Sequence, residues 1–177
     1  MDYVIRKARL DEREAIEQLI AESARKLSLE DYSAEQIEGA IRTVFGVDTD
    51  LIQDETYFVA ESNGTLVGCG GWSRRRTLFG GDRFARRDSS ALDPRTEAAK
   101  IRAFFVHPAW ARKGVGRAIL AACESEAQAQ GFRALELMST LPGIKLYRVC
   151  GYAEGERAEL EVGDNLKIEL ARMRKEL

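Results

Sequence analysis

Between Val106 and Leu120 the chain reads Val106-His107-Pro108-Ala109-Trp110-Ala111-Arg112-Lys113-Gly114-Val115-Gly116-Arg117-Ala118-Ile119-Leu120. Arg112, Lys113 and Arg117, with two glycines among them, stand between the end of a strand-like run and the start of a helix-like one. The first amides of a helix lack internal partners, and the helix dipole makes that end attractive to anions. Glycines let a bulky phosphate approach the main chain, and the three cations add charge. The chemistry indicated is phosphate binding. A Walker loop would need a glycine followed four residues later by Gly-Lys-Ser/Thr, and the chain has none. A dinucleotide fingerprint would need a third glycine three residues after Gly116, where Ile119 stands. A tight turn for close strand–helix packing would use the same glycines, so the pair alone names no ligand.

The elements that must position this segment are legible around it. Tyr3 to Arg6 reads as a short strand. Asp11-Glu12-Arg13-Glu14 opens an amphipathic helix with Ile16, Leu19 and Ile20 on one face, its acidic start suited to the helix dipole. Ser33-Ala34-Glu35-Gln36 has the form of a capping box and begins a second helix, which Gly46 ends. Thr56 to Glu61 and Thr65 to Trp72 read as strands joined by a Ser62-Asn63-Gly64 hairpin turn. From Ser73 to Ala99 the pattern dissolves into a polar segment carrying Arg74, Arg75, Arg76, Arg83, Arg86 and Arg87; a loop of this length is expected to be a solvated charged loop, mobile or functional. Ile101 to Val106 is strand-forming, and Pro108 stops it. A helix follows from about Gly114 to Gln130, ended by Gly131, then a strand from Ala134 to Ser139. Leu141-Pro142-Gly143 turns into a short helix bearing Leu146, Tyr147 and Cys150. Glu159 to Val162 and Leu166 to Met173 complete the pattern as two strands joined at Gly163-Asp164-Asn165. The order predicts an α/β fold: one mixed, mostly antiparallel sheet flanked by helices, with a right-handed parallel crossover from Ile101 to Ser139. With no repeat and no linker, residues 1–177 are expected to form a single domain.

The segment from Val106 to Gly116 resembles the pyrophosphate-binding motif of the GCN5-related N-acetyltransferases: a strand ending near Val-x-Pro, then Gln/Arg-x-x-Gly-x-Gly/Ala, then an amphipathic helix. Leu146-Tyr147-Arg148-Val149-Cys150-Gly151-Tyr152 resembles the family's Leu-Tyr-x-x-x-Gly-Phe/Tyr signature. The resemblance implies that acetyl-coenzyme A is the cofactor and that its acetyl group passes to an amine of a small molecule, peptide or protein. Ala111, Arg112, Lys113, Gly114, Val115, Gly116 and Arg117 would hold the pyrophosphate. The pantetheine arm would lie between the strands Ile101–Val106 and Ala134–Ser139, hydrogen-bonded to the main chain of Phe104, Phe105 and Val106, which could also polarise the thioester carbonyl. Tyr147 would be the general acid for the departing thiolate, although a tyrosine in an apolar helix is commonly a core residue. The chain departs from the family pattern in three respects. Ala111 stands where a glutamine or arginine is frequent, Thr140 where many members have a cofactor-contacting asparagine, and Lys100 and Arg102 in the strand that often carries a glutamate base. Glu97, Glu136, His107 and a chain of waters are left as alternatives for the base, although Glu136, alternating with Leu135 and Leu137, also reads as a solvent-facing residue. The missing glutamate motivates a second reading, an acyl-CoA-binding module with lost or vestigial catalysis.

Specificity would come from the first two helices, the Trp72 region and the arginine-rich loop. Tyr32, Phe45 and Trp72 are candidate pocket aromatics as well as core residues. The loop arginines are candidates for an acidic acceptor or the cofactor's 3′-phosphate.

The 27 basic and 29 acidic residues leave a formal net charge of -2, which gives no reason to propose nucleic acid as a partner. A single histidine argues against a metal site, and three cysteines without a C-x-x-C pattern suggest reduced thiols. No apolar run approaches membrane-spanning length. A soluble cytoplasmic enzyme is expected, with a homodimer implied by the resemblance alone.

Overall fold

The computed structural model describes residues 2–177. Its strands form one seven-stranded sheet in the order β1-β2-β3-β4-β5-β7-β6. They are β1 (Val4–Lys7), β2 (Tyr57–Ser62), β3 (Thr65–Ser73), β4 (Ala99–Val106), β5 (Ala134–Thr140), β6 (Ala153–Glu161) and β7 (Lys167–Glu176). Every pairing is antiparallel except β4 with β5. The expected mixed, mostly antiparallel sheet is therefore found, with its parallel step where the long helix connects two strands.

Alternation along the strands supplies both faces of the sheet with apolar side chains. In β2, Phe58 and Ala60 join one core while Tyr57 and Val59 join the other. The first core packs against α4 (Val115–Ala129) through Val115, Ile119, Leu120 and Cys123, and takes in Tyr147 from α5 (Ile144–Val149). The second packs against α1 (Arg13–Leu27), α2 (Ala34–Thr43) and α3 (Thr49–Gln53). A sheet covered on both sides explains why β2 reads as a continuous apolar run.

Several boundaries differ from expectation for local reasons. The Ser33–Gln36 capping box forms, but α2 stops at Thr43, three residues short of Gly46. The short helix α3 was not expected, since its five residues offer too little periodicity to detect. β6 starts at Ala153 rather than Glu159 because it is an edge strand whose residues are mostly exposed, so apolar alternation is missing from its first half.

The arginine-rich segment between β3 and β4 has only an isolated bridge, Arg75 to Ala91, but it is tied to the body of the protein. Arg75 forms a two-pronged pair with Asp54, both contacts at 2.7 Å. Arg76 pairs with Glu97, Arg83 with Glu17, and Arg87 with Asp48 and Asp50. The expected solvated loop is a strap fastened by ion pairs.

Candidate active site

β4 and β5 pair only at Ala99–Leu135 and Lys100–Glu136. Beyond that point they no longer pair, and the facing edges of the central sheet are unpaired where a parallel ladder would have continued. The His107 amide donates to Val67 on β3. Alternation then directs the main-chain groups of Phe105 toward β3, where it is registered with Cys69, and those of Phe104 and Val106 toward β5. Of the three residues expected to offer main-chain hydrogen bonds, Phe104 and Val106 are free to do so. Phe105 is spent in the ladder, and its ring packs on Phe45 with centroids 5.5 Å apart.

The segment after β4 delivers the chain to the mouth of this gap. Pro108–Trp110 makes one 3-10 turn, capped by His107 Nδ1, which accepts from the Ala109 amide at 3.1 Å. Arg112 and Gly114 have φ values of 62° and 87°, and α4 begins at Val115. Among the described residues, the amides of Arg112, Gly114, Val115, Gly116 and Arg117 have no hydrogen-bond partner. Arg112, Lys113 and Arg117 are exposed and form no ion pair among the described residues, whereas Arg75, Arg76, Arg83, Arg87 and Arg102 are all engaged by carboxylates. Free amides and uncommitted cations converge at one helix start, as an anion site requires.

The two glycines do different work. Gly114 takes a left-handed conformation with open space around it, the nearest atom to an added Cβ being Tyr3 Oη at 3.9 Å. Its role is conformational. At Gly116 an added Cβ would sit 3.1 Å from Leu146 and 3.6 Å from Val106. This glycine lets α4 close onto α5 and β4, so the tight-packing role considered for the pair holds for one member.

Tyr147 is buried, with Phe104 and Tyr152 edge-on at 6.3 and 5.6 Å between centroids. Its hydroxyl makes no hydrogen bond among the described residues. Burial pushes its pKa up, so the phenol keeps its proton at neutral pH. Thr140 ends β5, partly exposed and paired with Leu170 of β7, on the strand facing the gap. Ala111, also partly exposed, precedes the free amides.

The candidate bases are committed elsewhere. Glu136 does not face solvent: it is buried and bridges Lys100 and Arg172. Burial raises its pKa, but hydrogen bonds from those two cations outweigh burial and hold the carboxyl below its ordinary value. The Arg76 guanidinium likewise holds Glu97 low. His107 lies 3.5 Å from Glu22 and uses its other nitrogen as the cap of the turn. Arg102, on β4, pairs with Asp48 at 2.5 Å with both side chains buried.

The candidate acceptor aromatics are core residues. Trp72 is 1% exposed on the α4 face and donates to Glu126, and Tyr32 and Phe45 are buried. Two residues near the site had no sequence signal. Asp48 is a single carboxylate outside any motif, and Tyr57 sits within an apolar strand, but tertiary packing brings Asp48 to Arg102 and the Tyr57 hydroxyl to Ala103.

Among the described residues no cluster of histidine, cysteine and carboxylate side chains suits a metal ion. No helix among them is long and apolar enough to cross a membrane.

Comparison with known proteins agrees with this fold. A GCN5-related N-acetyltransferase from Rhodopseudomonas palustris superposes with a TM-score of 0.73 at 18% identity, covering 100% of this chain and 97% of that one. The PaiA N-acetyltransferase of Thermoplasma acidophilum, solved with coenzyme A, gives 0.68 at 17% identity with both chains fully covered. YncA of Salmonella typhimurium, a putative acetyltransferase solved with acetyl-CoA, gives 0.66 at 19%, covering 99% and 94%. No curated protein sequence matches the chain. The family model described as "Acetyltransferase (GNAT) family" matches residues 13–152, from the start of α1 to just past α5. The chain therefore belongs to the acetyltransferase (GNAT) family, enzymes that transfer an acetyl group from acetyl-CoA to an amine.

Proposed function

We propose that this acetyltransferase holds the pyrophosphate of acetyl-CoA on the free amides between Arg112 and Arg117, with the Arg112, Lys113 and Arg117 side chains neutralising its charge. The carrying observation is the coincidence of unpartnered amides with unpaired cations at the start of α4. The pantetheine arm runs along the open β4 edge, where Phe104 and Val106 supply main-chain hydrogen bonds in place of a β5 ladder. Thr140 meets it from the opposite strand.

Acetyl-CoA supplies the thioester whose acetyl group moves to the amine. The main-chain N–H groups of the β4 edge stabilise negative charge on the carbonyl oxygen during attack. Tyr147 holds a proton at Oη for the sulfur that is released, and its raised pKa keeps that proton in place at neutral pH. Because Glu136 and Glu97 are committed to cations, the acceptor amine loses its proton to solvent before it attacks. The acceptor is an amine of a small molecule, peptide or protein. The free Cys69, Cys123 and Cys150 suit a reducing, cytoplasmic setting. Residues 1–177 act as one catalytic domain, and a homodimer is the family's expectation, which sedimentation reads directly.

Isothermal titration calorimetry with acetyl-CoA tests the cradle. Replacing Arg112, Lys113 and Arg117 by glutamine, singly and together, should weaken binding about tenfold per cation, or ~1.5 kcal/mol, the lower end for hydrogen bonds to a charged group. Unchanged affinity in the triple variant would remove this segment from the cofactor site.

A further inference from the structure

The β3–β4 register slips by one residue at the edge of the open gap. Cys69 faces Phe105 and Gly71 faces Arg102, so Ala103 and Phe104 share the single position opposite Gly70. β4 therefore carries one extra residue, and Ala103 absorbs it at a φ of 53°. A left-handed conformation is unfavourable for an alanine, whose Cβ crowds the following carbonyl oxygen, and a bulge leaves main-chain groups without ladder partners. Something outside the strand must hold it.

Tyr57 does so. Its ring is 0% exposed, and its hydroxyl donates to the Ala103 carbonyl at 2.9 Å. The thiol of Cys69, also fully buried, reaches the same oxygen at 3.8 Å. The two glycines of Cys69-Gly70-Gly71 fit this arrangement by their lack of a side chain. A Cβ at Gly71 would lie 2.7 Å from the Tyr57 ring, and one at Gly70 would lie 2.5 Å from the Phe104 ring. One glycine makes room for the tyrosine that pins the bulge, and the other for the phenylalanine the bulge displays.

The consequence reaches the active site. A one-residue slip exchanges the two faces of a strand, so the bulge decides which face and edge Phe104 presents. With it, the Phe104 ring lies against Tyr147 and its main chain opens toward β5. We propose that Tyr57, backed by Cys69, is a positioning residue for acetyl transfer: by anchoring the Ala103 carbonyl it holds the bulge that aligns Phe104 with the acetyl end of the cofactor. The proposal rests on the reading that acetyl-CoA lies along β4.

The test compares two ligands on Tyr57→Phe, which keeps the ring and removes only the donor. Acetyl-CoA spans the whole groove, whereas 3′-phospho-ADP carries the nucleotide and pyrophosphate but no arm. Calorimetry should show wild-type affinity for 3′-phospho-ADP and at least fivefold weaker binding of acetyl-CoA. Equal weakening of both ligands, or of neither, overturns the positioning role. Wild-type protein that binds neither ligand overturns the cofactor reading beneath it, so the two failures are distinct. If Tyr57→Phe does not fold, Cys69→Ala carries the same comparison: a smaller loss confined to acetyl-CoA supports the role, and no loss overturns it.

Discussion

Tyr147 joins two properties that pull in different directions. As a buried ring between Phe104 and Tyr152 it contributes to the core, yet among the described residues its hydroxyl has no hydrogen-bond partner. Replacing it by phenylalanine keeps the ring packing and removes only the proton. We expect turnover, followed as free thiol release with a panel of amines, to fall about 10²-fold, the lower range for loss of a general acid. The KM for acetyl-CoA should change little, because the cradle at α4 is untouched. A variant with full turnover would leave the tyrosine as a core residue only. The same experiment in wild-type protein separates acetyl transfer from cofactor binding without turnover.

At the level of elements, the parting of β4 from β5 is the event that makes a site. The last registered pair before the gap is Lys100–Glu136, where the two side chains form a buried ion pair that Arg172 extends from β7. The cross-link ties three strands together next to the open edge. Its pH dependence follows from the lowered carboxyl of Glu136. A depressed folded-state value gives stability that is present above the unfolded value, about 4.3 for a glutamate, and lost as pH falls through the folded one. Urea titrations of wild type and Glu136→Gln should therefore converge as the solution is acidified below about pH 4.3. At neutral pH the variant should be the less stable, since it leaves Lys100 buried without its charge partner. A gap that stayed constant with pH would mean that the pair contributes nothing through its charge.

Across the whole molecule, the strap between β3 and β4 shows how far charge alone misleads. Its arginines, taken in isolation, look like a surface for acidic ligands, but Asp54, Glu97, Glu17, Asp48 and Asp50 already neutralise Arg75, Arg76, Arg83 and Arg87. Arg75→Gln removes the two-pronged pair with Asp54, in which the side chains are 30% and 12% exposed. The expected result is a loss of about 1 kcal/mol or less, lowering Tm by no more than about 2–4 °C at this chain length, with acetyl-CoA affinity unchanged. Weakened cofactor binding without a Tm shift would return the strap to the active site.

How much could be read in advance depends on whether the cause is local. The helix starts at Ser33 and Gly114, the stop at Pro108 and the Asn63-Gly64 turn are written in residues whose own geometry enforces them, and all four stand where the sequence placed them. The helix start with free amides and exposed cations was legible for the same reason: both come from one short segment. β6 was half lost because an exposed edge strand needs no apolar alternation. Where the carboxylates go was not legible at all. Glu136 had the alternation of a solvent-facing residue, yet it is buried because β4 and β7 bring Lys100 and Arg172 to it. Nor could the chain alone reveal that Tyr57 meets Ala103 across 46 positions. The sequence by itself thus determined the order of the strands and longer helices, the family resemblance, and a helix start whose amides and cations suit an anion. Only the tertiary structure decided which charges are spent and where β4 bulges and parts from β5, since those outcomes are set by partners distant along the chain.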